Sequence, residues 1–146
     1  MKKNITVFGL IAGAIVSILM LFIVYYTSYC AGNVSYTTSM VIGYASMLVA
    51  FSLVFVGIRN YRDRYNGGAI SFGKAFRIGI MIVLVASTIY VLAWLIDCYV
   101  FMPEFARIYK NAFYNVMMTY IEIIPVGLIV TLVSSLILKT AKNSKK

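Results

Sequence analysis

The chain has no histidine, two cysteines, two prolines and only four acidic residues in 146. Without histidine it lacks the usual neutral-pH proton shuttle and the commonest metal ligand. Two cysteines cannot build a thiolate zinc or iron–sulfur site, which needs about four ligands. Charged residues make up 12% of the chain, against about 25% in an ordinary soluble domain. These shortages exclude a disordered segment, a disulfide-stapled mini-protein and a soluble enzyme, and they leave no catalytic residue, metal site or cofactor to expect.

What is abundant is apolar surface, at 62% of residues. A soluble domain this small leaves much of its surface wet and could not hide so much of it. The apolar residues fall into four runs, at about 5–26, 38–58, 78–97 and 121–139. Backbone groups in hydrocarbon must pair within their own segment, so runs of this length read as membrane-spanning helices. The first run is too long for the apolar part of a secretory signal and is read as a span. The expected fold is all-α: one membrane domain, 1–146, forming a four-helix bundle.

The 13 basic residues and four acidic ones give a net charge of +9. Their positions argue for topology and not for nucleic acid. Lys2, Lys3, Arg59, Arg62, Arg64, Lys74, Arg77, Lys139, Lys142, Lys145 and Lys146 fall on one side of the expected membrane, and only Arg107 and Lys110 on the other. By the positive-inside rule both termini and the 59–77 loop are cytoplasmic, and the 27–37 and 98–120 loops are outside. Arg59, Arg62, Arg64, Lys74 and Arg77 are therefore candidates for contact with anionic lipid headgroups or a cytoplasmic partner. Tyr25, Tyr26, Tyr29, Tyr36, Tyr99, Phe101, Tyr109, Phe113, Tyr114 and Tyr120 crowd the outer boundary and read as an interfacial aromatic belt.

Within 103–122, Phe105, Ile108, Tyr109, Ala112, Phe113, Val116, Met117, Tyr120 and Ile121 form a helical apolar stripe, opposite Glu104, Arg107, Asn111, Asn115, Met118 and Glu122. The pattern predicts an amphipathic helix on the outer surface that runs into the fourth span and lengthens it, with Pro103 in its first turn and Pro125 bending the junction. Gly9 and Gly13, with Ser17, and Gly127, Thr131 and Ser135 repeat a four-residue step of small residues. That step serves close helix packing, within one chain or between two copies.

Four further features carry weaker signals. Gly68–Lys74 matches the first seven positions of a phosphate-binding loop, but Ala75 stands where a magnesium-holding Ser or Thr belongs. Asn66-Gly67-Gly68 reads better as a turn, with Ser71 capping the following helix and Phe72 and Phe76 entering the interface. Asp97 and Glu122 sit at the expected outer ends of spans three and four, where they could pair with Arg107 or Lys110, or hold a proton or cation. Cys30 and Cys98 both fall on the outer side, where an oxidising compartment permits a disulfide.

Gly57-Ile58-Arg59-Asn60-Tyr61-Arg62-Asp63, followed by Asn66-Gly67-Gly68-Ala69-Ile70-Ser71-Phe72-Gly73-Lys74-Ala75-Phe76 and by Glu122-Ile123-Ile124-Pro125-Val126-Gly127-Leu128, resembles a bacterial four-span membrane family known only as a domain of unknown function. The resemblance implies the inner membrane of a Gram-negative bacterium, and it brings no activity, substrate or catalytic residue. The expectation is a structural or partner-binding inner-membrane protein and not an enzyme. Its partners would be the bilayer, anionic headgroups and a membrane protein or second copy. A small transporter or channel for ions or small solutes is the alternative. Its span interiors offer mainly hydroxyls (Ser17, Ser46, Ser52, Ser87, Thr88, Thr131, Ser134 and Ser135), which can also bond the carbonyl of the preceding turn.

Overall fold

A computed structural model of the chain describes residues 2–26, 36–101 and 111–139. They form α1 (Lys2–Tyr25), α2 (Tyr36–Tyr65), α3 (Phe72–Ile96) with a π-helical continuation at Asp97–Phe101, and α4 (Ala112–Leu138). All four helices are long and apolar enough to cross a membrane. At 24 to 30 residues and about 1.5 Å per residue, each exceeds the roughly 30 Å of a hydrocarbon core. The helices outrun the expected spans because nothing stops a helix at the hydrocarbon boundary. α2 continues through its charged end to Tyr65, and α3 starts at Phe72.

The fourth helix corrects one expectation. Residues 102–110, including Pro103, Phe105, Arg107 and Lys110, lie outside the described residues. Residues 112–122 run into the fourth span and lengthen it, as expected, but they belong to α4 itself, which passes Pro125 unbroken. Its apolar stripe turns outward, with Phe113 and Ile121 more than half exposed, while Asn115 and Thr119 from the polar side are buried. A helix on a water-facing surface would do the reverse. Here Asn115 and Thr119 turn to the protein and most of the apolar stripe to the exterior, as suits a helix surrounded by hydrocarbon, while Asn111, Met118 and Glu122 stay exposed. Asn111 caps α4, its side-chain oxygen accepting from the backbone N–H of Tyr114 at 2.8 Å.

The register follows from side-chain partners. Gly9 faces Val85 and Gly13 faces Ile89, four residues on in each helix, so α1 and α3 run parallel. Gly79 faces Thr131 and Gly127 faces Val83, a reciprocal antiparallel pair joining α3 to α4. Gly57 lies against Phe8, bringing the end of α2 beside the start of α1. The small-residue steps are thus spent inside the chain, where each glycine admits a β-branched side chain from its neighbour. α1 and α4 each pack on both α2 and α3, around a core that includes Phe51, Val54, Ile58, Ile78, Ile82 and Ile123.

The connection between α2 and α3 is a closed turn. Gly67 and Gly68 adopt φ of 63° and 80°, the left-handed region that disfavours other residues. The Gly68 N–H bonds the Arg62 carbonyl at 2.9 Å, satisfying an acceptor left open at the end of α2. The Asn66 side chain donates to the Ala69 carbonyl and accepts from Lys74 Nζ, and Lys74 also lies 5.4 Å from the centre of the Tyr61 ring. Gly68–Lys74 is therefore a helix–turn–helix corner with no strand before it. Ser71 holds the cap position of α3, but its side chain makes no capping hydrogen bond. Phe72 and Phe76 stack on each other at 5.6 Å.

Candidate functional site

Antiparallel and parallel pairings together put the start of α1, the end of α2, the start of α3 and the end of α4 at one end of the bundle. Every lysine and arginine among the described residues belongs to these termini: Lys2, Lys3, Arg59, Arg62, Arg64, Lys74, Arg77 and Lys139. Arg59, Arg64, Lys74 and Arg77 are exposed, and Arg62 is half-buried. Asp63 is the one acid at this end among the described residues. It pairs with Arg62 at 2.7 Å and Arg59 at 3.6 Å. Both pairs are exposed and screened by water, so they add little to stability. Arg64 and Arg77 form no ion pair among the described residues. The surface is therefore strongly cationic, with a cleft of about 310 Å³ between Phe55, Val56, Arg59, Asn60, Asp63 and Arg64.

Beneath it lies a polar tie that the sequence reading did not single out. Asn4 is buried at 5% exposure. Its amide donates to the Gly57 carbonyl at 2.9 Å, and its oxygen accepts from the Asn60 amide at 2.7 Å. It locks α1 to α2 directly under the basic rim.

The opposite half of the bundle is organised differently. Tyr90, Trp94 and Asp97 follow one another at i, i+4 and i+7 along α3, and Asn115, Thr119 and Glu122 do so along α4, so each set shares a helix face. The two faces meet: Trp94 Nε1 donates to Asn115 Oδ1 at 3.0 Å, and Thr119 Oγ1 donates to the Asn115 carbonyl at 2.9 Å. Four of these six residues, Tyr90, Trp94, Thr119 and Glu122, join Tyr44 of α2 and Met118 in the wall of a cavity of about 480 Å³. A second, largely apolar cavity of about 210 Å³ shares Tyr90 and Trp94 with it.

The two acids behave differently from each other. Asp97 is 1% exposed, at the junction of α3 with its π-helical turn, and one carboxylate oxygen has no hydrogen-bond partner. Glu122 was expected at the outer end of a short span, but it sits ten residues into α4, about 15 Å along the helix. It is exposed on the cavity wall. Neither acid forms an ion pair among the described residues, and the expected partners Arg107 and Lys110 lie outside them. A bare charge deep in a bilayer costs about 2.5–3.5 kcal/mol at a helix centre on insertion scales, so it calls for neutralisation or hydration.

Other expected sites divide as follows. Cys98 is fully buried with a free thiol, and Cys30 lies outside the described residues. Tyr25, Tyr26, Tyr99, Phe113 and Tyr114 are exposed, as a belt requires. Tyr29 and Tyr109 lie outside the described residues. Ser46, Ser52 and Thr88 donate to carbonyls of the preceding turn at 2.6 to 2.9 Å. Ser17, Ser87, Thr131 and Ser135 are instead buried with no hydrogen-bond partner for the hydroxyl. Among the described residues no three acids or cysteines converge as a metal site would require.

The sequence signal for the cavity was the four-residue spacing of Tyr90 and Trp94 on α3. It is legible only when Asn115, Thr119 and Glu122 are read as the inward face of a spanning helix. No curated protein and no solved structure matches the chain. Residues 7–118, which include the 57–76 segment and stop short of Glu122, match the family described as Protein of unknown function (DUF4199). With four apolar helices and that match over most of its length, the chain belongs to this family of unknown function.

Proposed function

We propose that this is a multi-pass protein of a bacterial inner membrane, with both termini cytoplasmic, acting as a structural or partner-binding component through its basic end. The observation that supports it is the segregation of charge. The described lysines and arginines gather at one end on exposed helix termini, opposed by a single acid. Such a collar attracts anionic headgroups by about 1 kcal/mol per residue held near the surface. It also offers a cationic face to an acidic protein partner.

Two measurements test this reading. A tag fused behind Lys146 is protected from protease in intact spheroplasts and cut once the membrane is opened; cutting in intact spheroplasts refutes the orientation. Joint neutralisation of Arg59, Arg62 and Arg64 to glutamine lowers the preference of the purified protein for anionic over zwitterionic lipid. An unchanged preference refutes the role of this end.

A second reading, a small transporter or channel, is favoured by the cavity of about 480 Å³ and its carboxylate. Flux of ions or small solutes into liposomes, reduced by Glu122→Gln and Asp97→Asn, supports it. Liposomes as tight as protein-free ones retire it.

A further inference from the structure

The cavity between α2, α3 and α4 has a composition that neither the family nor the charged end accounts for. Tyr44 and Trp94 contribute two aromatic rings and Tyr90 a third, while Glu122 contributes the carboxylate. Tyr90 and Glu122 line the same space from α3 and α4, so an aromatic ring and a carboxylate border it from two helices. No lysine or arginine among the described residues is at this end of the bundle. Aromatic faces carry a negative quadrupole that attracts a cation, above all a weakly hydrated organic one, and an adjacent carboxylate supplies the counter-charge. At about 480 Å³ the space falls within the roughly 300–1,000 Å³ of small-molecule sites. Its wall is pre-set: the hydrogen bond from Trp94 to buried Asn115 fixes the indole, and Thr119 ties the same asparagine's backbone. Tyr44, Met118 and Ile121 of its lining are exposed, so the space is not sealed inside the bundle.

We infer that this cavity binds a small organic ammonium ion, with Glu122 as counter-ion and Tyr44, Tyr90 and Trp94 as its aromatic cage. The bound cation neutralises a carboxylate that has no ion-pair partner among the described residues and stands along a membrane-spanning helix. A metal ion fits less well, because three of the wall groups are rings and only one is a carboxylate. The inference concerns binding alone, so it stands or falls independently of the basic end and of any flux measurement.

The chain contains one tryptophan, and it is Trp94 in the cavity wall, so its fluorescence reports the site directly. In uncharged maltoside micelles at constant ionic strength, choline chloride produces a saturable change in Trp94 emission at about 10 μM to 10 mM. The neutral isostere 3,3-dimethyl-1-butanol, which has the same shape without the charge, binds about tenfold or more weakly. Glu122→Gln weakens choline by a similar factor. Tyr90→Phe, which keeps the ring, retains binding, and Tyr90→Leu loses it. Three results overturn the inference: no saturable response to choline, as an internal ion pair of Glu122 with Arg107 or Lys110 would give; equal binding of choline and its isostere; or undiminished binding in a folded Glu122→Gln protein. The comparison of choline with its isostere needs no variant, so it decides the matter even if a substitution fails to fold.

Discussion

Moving one methyl group across the α3–α4 interface tests the packing directly. A Cβ added to Gly79 would sit 2.5 Å from the Thr131 Cγ2 methyl, 3.1 Å from Ile58 Cδ1 and 3.2 Å from Thr131 Oγ1. Carbon atoms pack best at about 3.5–4.0 Å, so the methyl contact is about 1 Å too close. Gly79→Ala alone is therefore an overpacking change and costs about 1–3 kcal/mol. The gain in helix propensity from glycine to alanine, about 0.8–1.0 kcal/mol in water, largely cancels because detergent-unfolded membrane helices stay helical. Thr131→Ser alone removes the same methyl from a fully buried position and costs about 0.5–1.5 kcal/mol, by analogy with Ile→Val. In the double variant the methyl introduced by Gly79→Ala occupies the space that the Thr131 methyl vacated, and the total carbon count is unchanged. Its stability returns to within about 0.5–1 kcal/mol of the parent, giving a favourable coupling of about 1–3 kcal/mol. Equilibrium unfolding with increasing SDS mole fraction, followed by the emission of the single tryptophan, Trp94, as a probe of tertiary packing, measures all four corners of the cycle. Additive losses would refute the assigned register of α3 against α4.

Three other outcomes follow from the same geometry. Asn4→Ala breaks hydrogen bonds to Gly57 and Asn60 and destabilises the protein by about 0.6–1.7 kcal/mol, the range of interhelical hydrogen bonds in membranes; SDS unfolding together with Asn60→Ala should show the two losses to be non-additive. Gly68→Ala forces a Cβ into φ of 80° and costs about 1–2 kcal/mol, read as a lower melting temperature, whereas Gly73→Ala, with open space around its added Cβ, leaves it unchanged or raised. In a Cys30→Ser background, the fully buried Cys98 resists a membrane-permeant maleimide until SDS is added, and rapid modification of the folded protein, seen as a mass increase, would contradict its burial.

The corrected helix shows where one-dimensional reading stops. Residues 112–122 have an amphipathic period, and that period is the same whether the polar stripe meets water or meets another helix. The choice is made by Asn115, which finds Trp94 on α3, and by Thr119 beneath it. In the same way, a run that begins its strongest hydropathy near Ile123 gives a short span with Glu122 at its end, whereas the helix begins at Ala112 and places that carboxylate well inside. Asn4 escaped notice because a lone asparagine near the N-terminus carries no pattern. Its meaning arises only when α2 returns beside α1.

Composition and order alone determined that this chain is suited to hydrocarbon, that it forms four helices, and that most of its basic residues fall at the same ends of those helices. Those properties follow from the solvent preference of each residue and from helix length, which add up along the chain without reference to partners. The tertiary structure decided which glycine receives which side chain, that α1 runs parallel beside α3, and that Tyr90 and Trp94 on α3 face Asn115, Thr119 and Glu122 on α4. Hydrocarbon gives apolar helices no net drive toward each other, so neighbours are chosen by close shape fit and a few buried hydrogen bonds. Those terms exist only between residues far apart in sequence.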